Sequence, residues 1–146
     1  NKAILIGIGN SARQDDGLGW AFLDKVKQHP YFKGDIIYRY QLQVEDADLI
    51  KDYDTVLFID AMKSDEDIAF EWKKCDPSKD LGFSTHALDP ESVVSLCKLL
   101  YNKSPKVFIF GIKGVQWELA EGLSDTGIKN LEQGLEYFFN HVEILQ

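Results

Sequence analysis

The sequence predicts an α/β fold: a three-layer sandwich with a mostly parallel five-stranded sheet, one antiparallel edge strand and helices on both faces. Three observations predict it. Apolar runs of strand length alternate with segments whose apolar residues recur at helical spacing, the order that produces parallel strands joined by right-handed crossovers. The first run, 2–8, is apolar almost without a break, as a strand covered on both faces requires. A later segment, 68–73, alternates Ile68, Phe70 and Trp72 with Ala69, Glu71 and Lys73, the period of a half-exposed edge strand.

The elements follow in order. Strand one closes on Gly7-Ile8-Gly9-Asn10, a tight turn. Leu18, Phe22, Leu23 and Val26 then make the apolar stripe of a helix reaching about Gln28, with Asp15 and Asp16 where carboxylates favour a helix N-terminus. Pro30 and Gly34 break the chain, and 35–42, rich in Ile and Tyr, reads as strand two, followed by a short helix over 45–52. Residues 55–59 form strand three, ending at Asp60, and the edge strand at 68–73 is expected as a hairpin-like excursion. Asp89-Pro90 is a cap and first-turn pair for a helix ending near Tyr101, with Val93, Leu96, Cys97 and Leu100 as its buried stripe. Residues 106–112 make the last strand. Ser124 opens the final helix, whose stripe is Ile128, Leu131, Leu135, Phe138 and Val142.

Composition narrows the function. The 146 residues are 45% apolar and carry Lys+Arg 16 against Asp+Glu 24, a net charge of -8, which fits one domain over 1–146 and disfavours nucleic acid as a partner. No apolar run approaches the ~18 residues that span a membrane, and the first run reads as a strand rather than a signal peptide, so a cytoplasmic protein is expected. Cys75 and Cys97 form no C-x-x-C pair and are expected to be free thiols, Cys97 facing the core. The glycine turn lacks the third glycine of a dinucleotide fingerprint and the Lys-Ser/Thr of a P-loop, and no G-x-S-x-G elbow is present. His29 and His141, at helix ends, are expected at the surface or complementing the helix dipole.

In such sheets ligands bind beyond the carboxyl ends of the strands. Asp15 and Asp16 after strand one, Asp60 at the end of strand three and His86 before the Asp89-capped helix can all meet there. Two carboxylates and an imidazole are a workable set for a divalent transition metal, and three protein ligands without a thiolate leave positions that another molecule can share. Asp16 equally suits a helix N-terminus, Asp60 a loop cap and His86 a loop hydrogen bond. Arg13 can pair with either acid or with a substrate carboxylate, Asp15 can support Asp16 or cap the helix, and Trp117 can anchor its loop or wall a cleft.

Gly7-Ile8-Gly9-Asn10 with Arg13-x-Asp15-Asp16-Gly17-x-Gly19, then Phe58-Ile59-Asp60-Ala61, then Ser84-Thr85-His86, resembles the nickel-iron hydrogenase maturation protease family. Leu88-x-Pro90 with Leu99-Leu100-Tyr101, and the run from Trp117 to Ser124, are similar to later blocks of one branch. The resemblance implies the same α/β fold and a cytoplasmic endopeptidase that removes the C-terminal extension of a hydrogenase large-subunit precursor after nickel insertion. It implies that Asp16, Asp60 and His86 converge, as catalytic and as nickel-recognising residues, with the nickel supplied by the precursor and zinc or cadmium able to occupy the site. The chain departs from the best-known members in carrying Asp16 where they carry Glu, and 40–45 (Tyr-Gln-Leu-Gln-Val-Glu) where they carry a glycine-rich turn. A monomer is expected. Two other readings remain: a non-catalytic metal-sensing chaperone or binding module on the same fold, and an unrelated α/β hydrolase or nucleotide binder using the glycine turn.

Overall fold

The computed structural model describes residues 2–30, 32–77 and 88–142. Five strands form one sheet in the order β2-β1-β3-β5-β4: β1 Ala3–Ile8, β2 Asp35–Arg39, β3 Thr55–Met62, β4 Phe70–Lys74 and β5 Lys106–Lys113. β1 pairs in parallel with β2 and β3, β3 in parallel with β5, and β4 runs antiparallel along β5 at the edge. Among the described residues, α1 Leu18–Lys27, α2 Glu45–Ile50 and α3 Pro90–Tyr101 connect strands, and α4 Asp125–His141 follows the last one.

Strand alternation sorts the core into two faces. Leu5, Leu57, Ile59 and Phe110 point to one side, where Phe22 of α1 and Leu131 and Phe138 of α4 cover them. Ile4, Ile6, Val56, Phe58 and Val107 point to the other, under Ala47 and Ile50 of α2 and Val93, Leu96 and Cys97 of α3. The central strands are therefore buried on both faces, as their unbroken apolar runs predict.

Several expectations need correction, among them that Leu100 belongs to the buried stripe of α3, where it is exposed at 54%, and that β2 runs to residue 42, where it ends at Arg39. The 3-10 segment Ser11–Gly17 precedes α1, so Asp15 and Asp16 lie outside the helix rather than in its first turn. β3 continues through Asp60 to Met62. β4 is no hairpin with β3, because β5 lies between them. On α4 the buried stripe is Gly127, Asn130, Leu131, Gly134 and Phe138, and Ile128 is exposed at 41%. Glycines, invisible to a hydrophobicity count, set that face: a Cβ on Gly134 would lie 3.1 Å from the Phe110 ring. Ser124 caps α4 and Asp89 caps α3 as expected, accepting from Gly127 N at 2.9 Å and Ser92 N at 2.8 Å.

Candidate functional site

The chain leaves β1 toward β2 on one side and reaches β5 through β3 on the other, so a crevice opens beyond the carboxyl ends of β1 and β3. Two glycines bring the first turn of α1 close over it. A Cβ on Gly19 would lie 2.6 Å from the Ile59 carbonyl oxygen and 2.8 Å from that of Ile8. A Cβ on Gly9 would lie 2.1 Å from the Asp16 carbonyl oxygen, to which Asn10 N donates at 3.0 Å. Asn10 also caps the 3-10 segment, its Oδ1 accepting from Ala12 N at 2.9 Å. The N–H groups of Gly9 and Asn10 are thus donated to Arg39 O and Asp16 O, which leaves a phosphate cradle without its donors.

Asp16 and Asp60 therefore open into one cleft of about 330 Å³, with Tyr40, Leu42, Leu88 and Asp89 on its far wall. An antiparallel bridge between Leu42 and Leu88 joins that wall. Burial pushes the Asp60 carboxyl up to about 7; a hydrogen bond from the Ala61 backbone opposes the rise and the charge on Asp16 adds to it. Asp16 is also raised, by burial, against the opposing charges of Arg13 and Lys63. Lys63 Nζ sits 5.1 Å over the centroid of the Trp117 ring, so Trp117 anchors a cation beside the site. A second cleft of about 540 Å³, lined by Arg39, Gln43 and Asp46, shares Tyr40 and Gln41 with the first.

Asp15, one residue away, behaves oppositely. It is fully buried, and its Oδ2 accepts from Val115 N (2.8 Å), Gln116 N (3.0 Å) and Ser124 Oγ (2.7 Å), its Oδ1 from Ser124 N (2.8 Å). Burial works against its ionisation, but these bonds outweigh it and hold the carboxyl below the usual range. Gly114 and Gly127 leave room for it: a Cβ on either would approach Asp15 to 2.6 Å. Gln14 completes the clasp from φ 48, ψ −117, a conformation costing a non-glycine residue ~1–3 kcal/mol. Its N–H donates to Ala120 O at 2.9 Å, its Oε1 accepts from Glu118 N at 2.9 Å, and its Nε2 donates to Gln116 Oε1 at 3.3 Å.

Of the three expected site residues, the structure brings Asp16 and Asp60 together, while His86 lies outside the described residues, as do Ser84 and Thr85. Among the described residues no group of three or more His, Cys, Asp or Glu side chains is arranged to hold a metal ion. Asp89 is a site-lining acid that the sequence marks only as a helix cap, and Gln14 carries no sequence signal at all. Cys75 and Cys97 are buried and their thiols are raised by that burial, Cys75 to about 12, so neither is an activated nucleophile. His141 stacks on Tyr137 at 4.1 Å and His29 on Phe139 at 4.0 Å, away from the cleft residues.

Solved structures with this fold include the nickel-iron hydrogenase maturation protease HycI from Thermococcus kodakarensis KOD1, at 26% identity over 94% of this chain and 89% of that one, TM-score 0.67. The hydrogenase maturating endopeptidase HybD from E. coli superposes with TM-score 0.75 over 98% of this chain and 93% of that one, at 16% identity. The fold is that of the hydrogenase maturation proteases. The same fold also describes an uncharacterized protein from Wolinella succinogenes, at 21% identity over 99% of both chains and TM-score 0.62. No protein-family profile and no curated protein matches the chain. Within the maturation-protease fold, Asp16 and Asp60 occupy the strand-end crevice, and no helix among the described residues is long and apolar enough to cross a membrane.

Proposed function

We propose that this chain is an endopeptidase that removes the C-terminal extension of a nickel-iron hydrogenase large-subunit precursor, recognising the nickel that the precursor carries. The observation that carries the reading is the convergence of Asp16 and Asp60, from two different strand ends, on one open cleft. Both carboxyls are raised by burial, and the charge on Asp16 adds to the rise at Asp60. A divalent cation is the natural complement of such a pair. Two oxygen donors do not close a coordination shell, and His86 is the third donor in this proposal. An incomplete set suits an ion that arrives already held by its own protein, so that only loaded precursor docks productively. The likeness to HycI and HybD supports peptidase chemistry on this fold.

Peptide hydrolysis then asks these side chains for a base. Whichever of the Asp16 and Asp60 carboxylates the ion does not engage can take the proton of an attacking water and return it to the leaving amine as the C–N bond breaks. In this proposal the second cleft, on the other side of Tyr40 and Gln41, takes the chain on one side of the scissile bond. The proposed enzyme works in the cytoplasm as a monomer.

The test is incubation of the purified chain with nickel-loaded and nickel-free precursors, followed by intact-mass measurement. Loss of the C-terminal extension from loaded precursor alone is expected, abolished by Asp60→Asn. Binding without mass loss would favour a metal-sensing chaperone, and equal cutting of nickel-free precursor would sink the metal coupling.

A further inference from the structure

Successive side chains at 15 and 16 leave the backbone in opposite directions. Asp15 goes inward against 115–124 and Asp16 outward into the cleft. The residue that sets this up is Gln14, at φ 48, ψ −117. A glycine would adopt that conformation freely, so what a glutamine adds is its side chain. That side chain ties down Glu118 N and Gln116 Oε1, while the backbone N–H groups of residues 14 and 15 donate to Ala120 O and Gln116 O at 2.9 and 3.0 Å. With the four bonds accepted by the Asp15 carboxylate, the 3-10 turn is locked on one side to the 115–124 crossover. The turn is closed on itself by the bond from Asn10 N, at its cap, to Asp16 O.

We propose that Gln14 and Asp15 are positioning residues that fix the direction from which the Asp16 carboxylate meets Asp60. The proposal rests on the reading of Asp16 as a residue that faces the substrate's ion. A turn closed on itself and clasped along 115–124 leaves Asp16 few backbone conformers, and a ligand or base held within a fraction of an ångström depends on that kind of second support. The 115–124 crossover, with Trp117 under Lys63, then belongs to the same rigid unit as the site rather than to the surface alone.

Gln14→Gly separates positioning from folding, since it relieves the backbone conformation while deleting the two side-chain bonds. Gln116→Ala removes only the partner of Nε2 on an exposed side chain, and decides the matter if the first variant fails to fold. Each is compared with wild type by calorimetric titration with cadmium, by carbon NMR titration of the Asp60 carboxyl, and by thermal melting. Gln14→Gly is expected to melt within a few degrees of wild type, to bind cadmium roughly tenfold more weakly, and to titrate Asp60 lower as Asp16 moves away; Gln116→Ala is expected to shift the same way by less. If wild type binds no free cadmium, as a site completed by the precursor's own ligands would, the Asp60 midpoint decides: a shift in the folded variants supports the positioning role, and the nickel-loaded and nickel-free precursor comparison separately tests ion recognition. Variants that fold and keep both the wild-type affinity and the wild-type Asp60 midpoint overturn the proposal.

Discussion

Asp15 and Asp16 share a chemistry and a peptide bond and end in opposite situations. Asp15 is wholly buried, yet its carboxyl lies below the usual range because four hydrogen bonds reach it. Asp16 and its neighbour Asp60 are only partly buried, yet both are raised, since desolvation there is opposed only by a backbone hydrogen bond at Asp60 and by charges at Asp16. Burial therefore does not decide whether an acid is structural or available for chemistry; the number of donors aimed at it does. The clasp around Asp15 spends its donors on holding the fold, whereas the cleft leaves its carboxylates unsatisfied and open to a partner.

The sharpest way to break this comparison is to delete each acid. Asp15→Ala strands the N–H groups of Val115, Gln116 and Ser124 and the Ser124 hydroxyl, and is expected to cost about 3–5 kcal/mol in urea unfolding. Asp60→Asn removes a poorly satisfied charge and is expected to leave stability at pH 7 unchanged or higher while abolishing cleavage. Equal destabilisation by the two would mean that Asp60 is structural as well.

The same contrast carries a pH signature of smaller size. Asp15 is lowered in the folded chain, so the unfolded chain binds the extra proton; its contribution is present above about pH 4 and is lost as pH falls. Asp60 is raised to about 7, so the folded chain holds the extra proton, and its effect is a loss of stability as pH rises from about 4 to 7. Stability measured against pH should accordingly fall on both sides of mildly acidic conditions. Asp60→Asn should flatten the neutral limb and leave the acid limb in place. A wild-type profile still rising between pH 4 and 7 would contradict the raised Asp60.

Much of this was legible before any coordinates. Strand one with its glycine turn, the Asp89 and Ser124 caps and the antiparallel edge strand all follow from local patterns. They are read correctly because local chemistry and tertiary packing agree there. Asp16 and Asp60 were legible as a pair because α/β topology sends strand ends to one place. Asp15 was not legible as a clasp, since its partners lie 100–109 residues away and nothing local distinguishes it from a helix-terminal acid. Gln14 was hidden for a related reason: a left-handed residue that is not glycine gives no compositional sign. The face of α4 was misjudged at Ile128 because Gly127 and Gly134 create burial by close approach instead of by hydrophobic bulk.

Ser124 tests how the clasp distributes its strength. Its hydroxyl donates to Asp15 Oδ2 and accepts from Gly127 N, while its backbone N–H reaches Oδ1 independently. Ser124→Ala should therefore cost only about 1–2 kcal/mol, less than Asp15→Ala, with the cap and one carboxylate bond lost and three bonds kept. A cost as large as that of removing Asp15 would show that the hydroxyl, and not the carboxylate, organises the crossover.

The smallest expected effect lies on the open side. Lys63 sits over Trp117 and, with Arg13, offsets the rise that burial imposes on Asp16. Lys63→Gln deletes one of those charges from an exposed position, so stability should change by no more than about 0.5 kcal/mol. The Asp16 carboxyl should titrate higher than in wild type when followed by carbon NMR, while Asp15, shielded by its own donors, stays low. If Asp15 moved and Asp16 did not, Lys63 would belong electrostatically to the clasp, and the division between a satisfied inner acid and an unsatisfied outer pair would have been drawn in the wrong place.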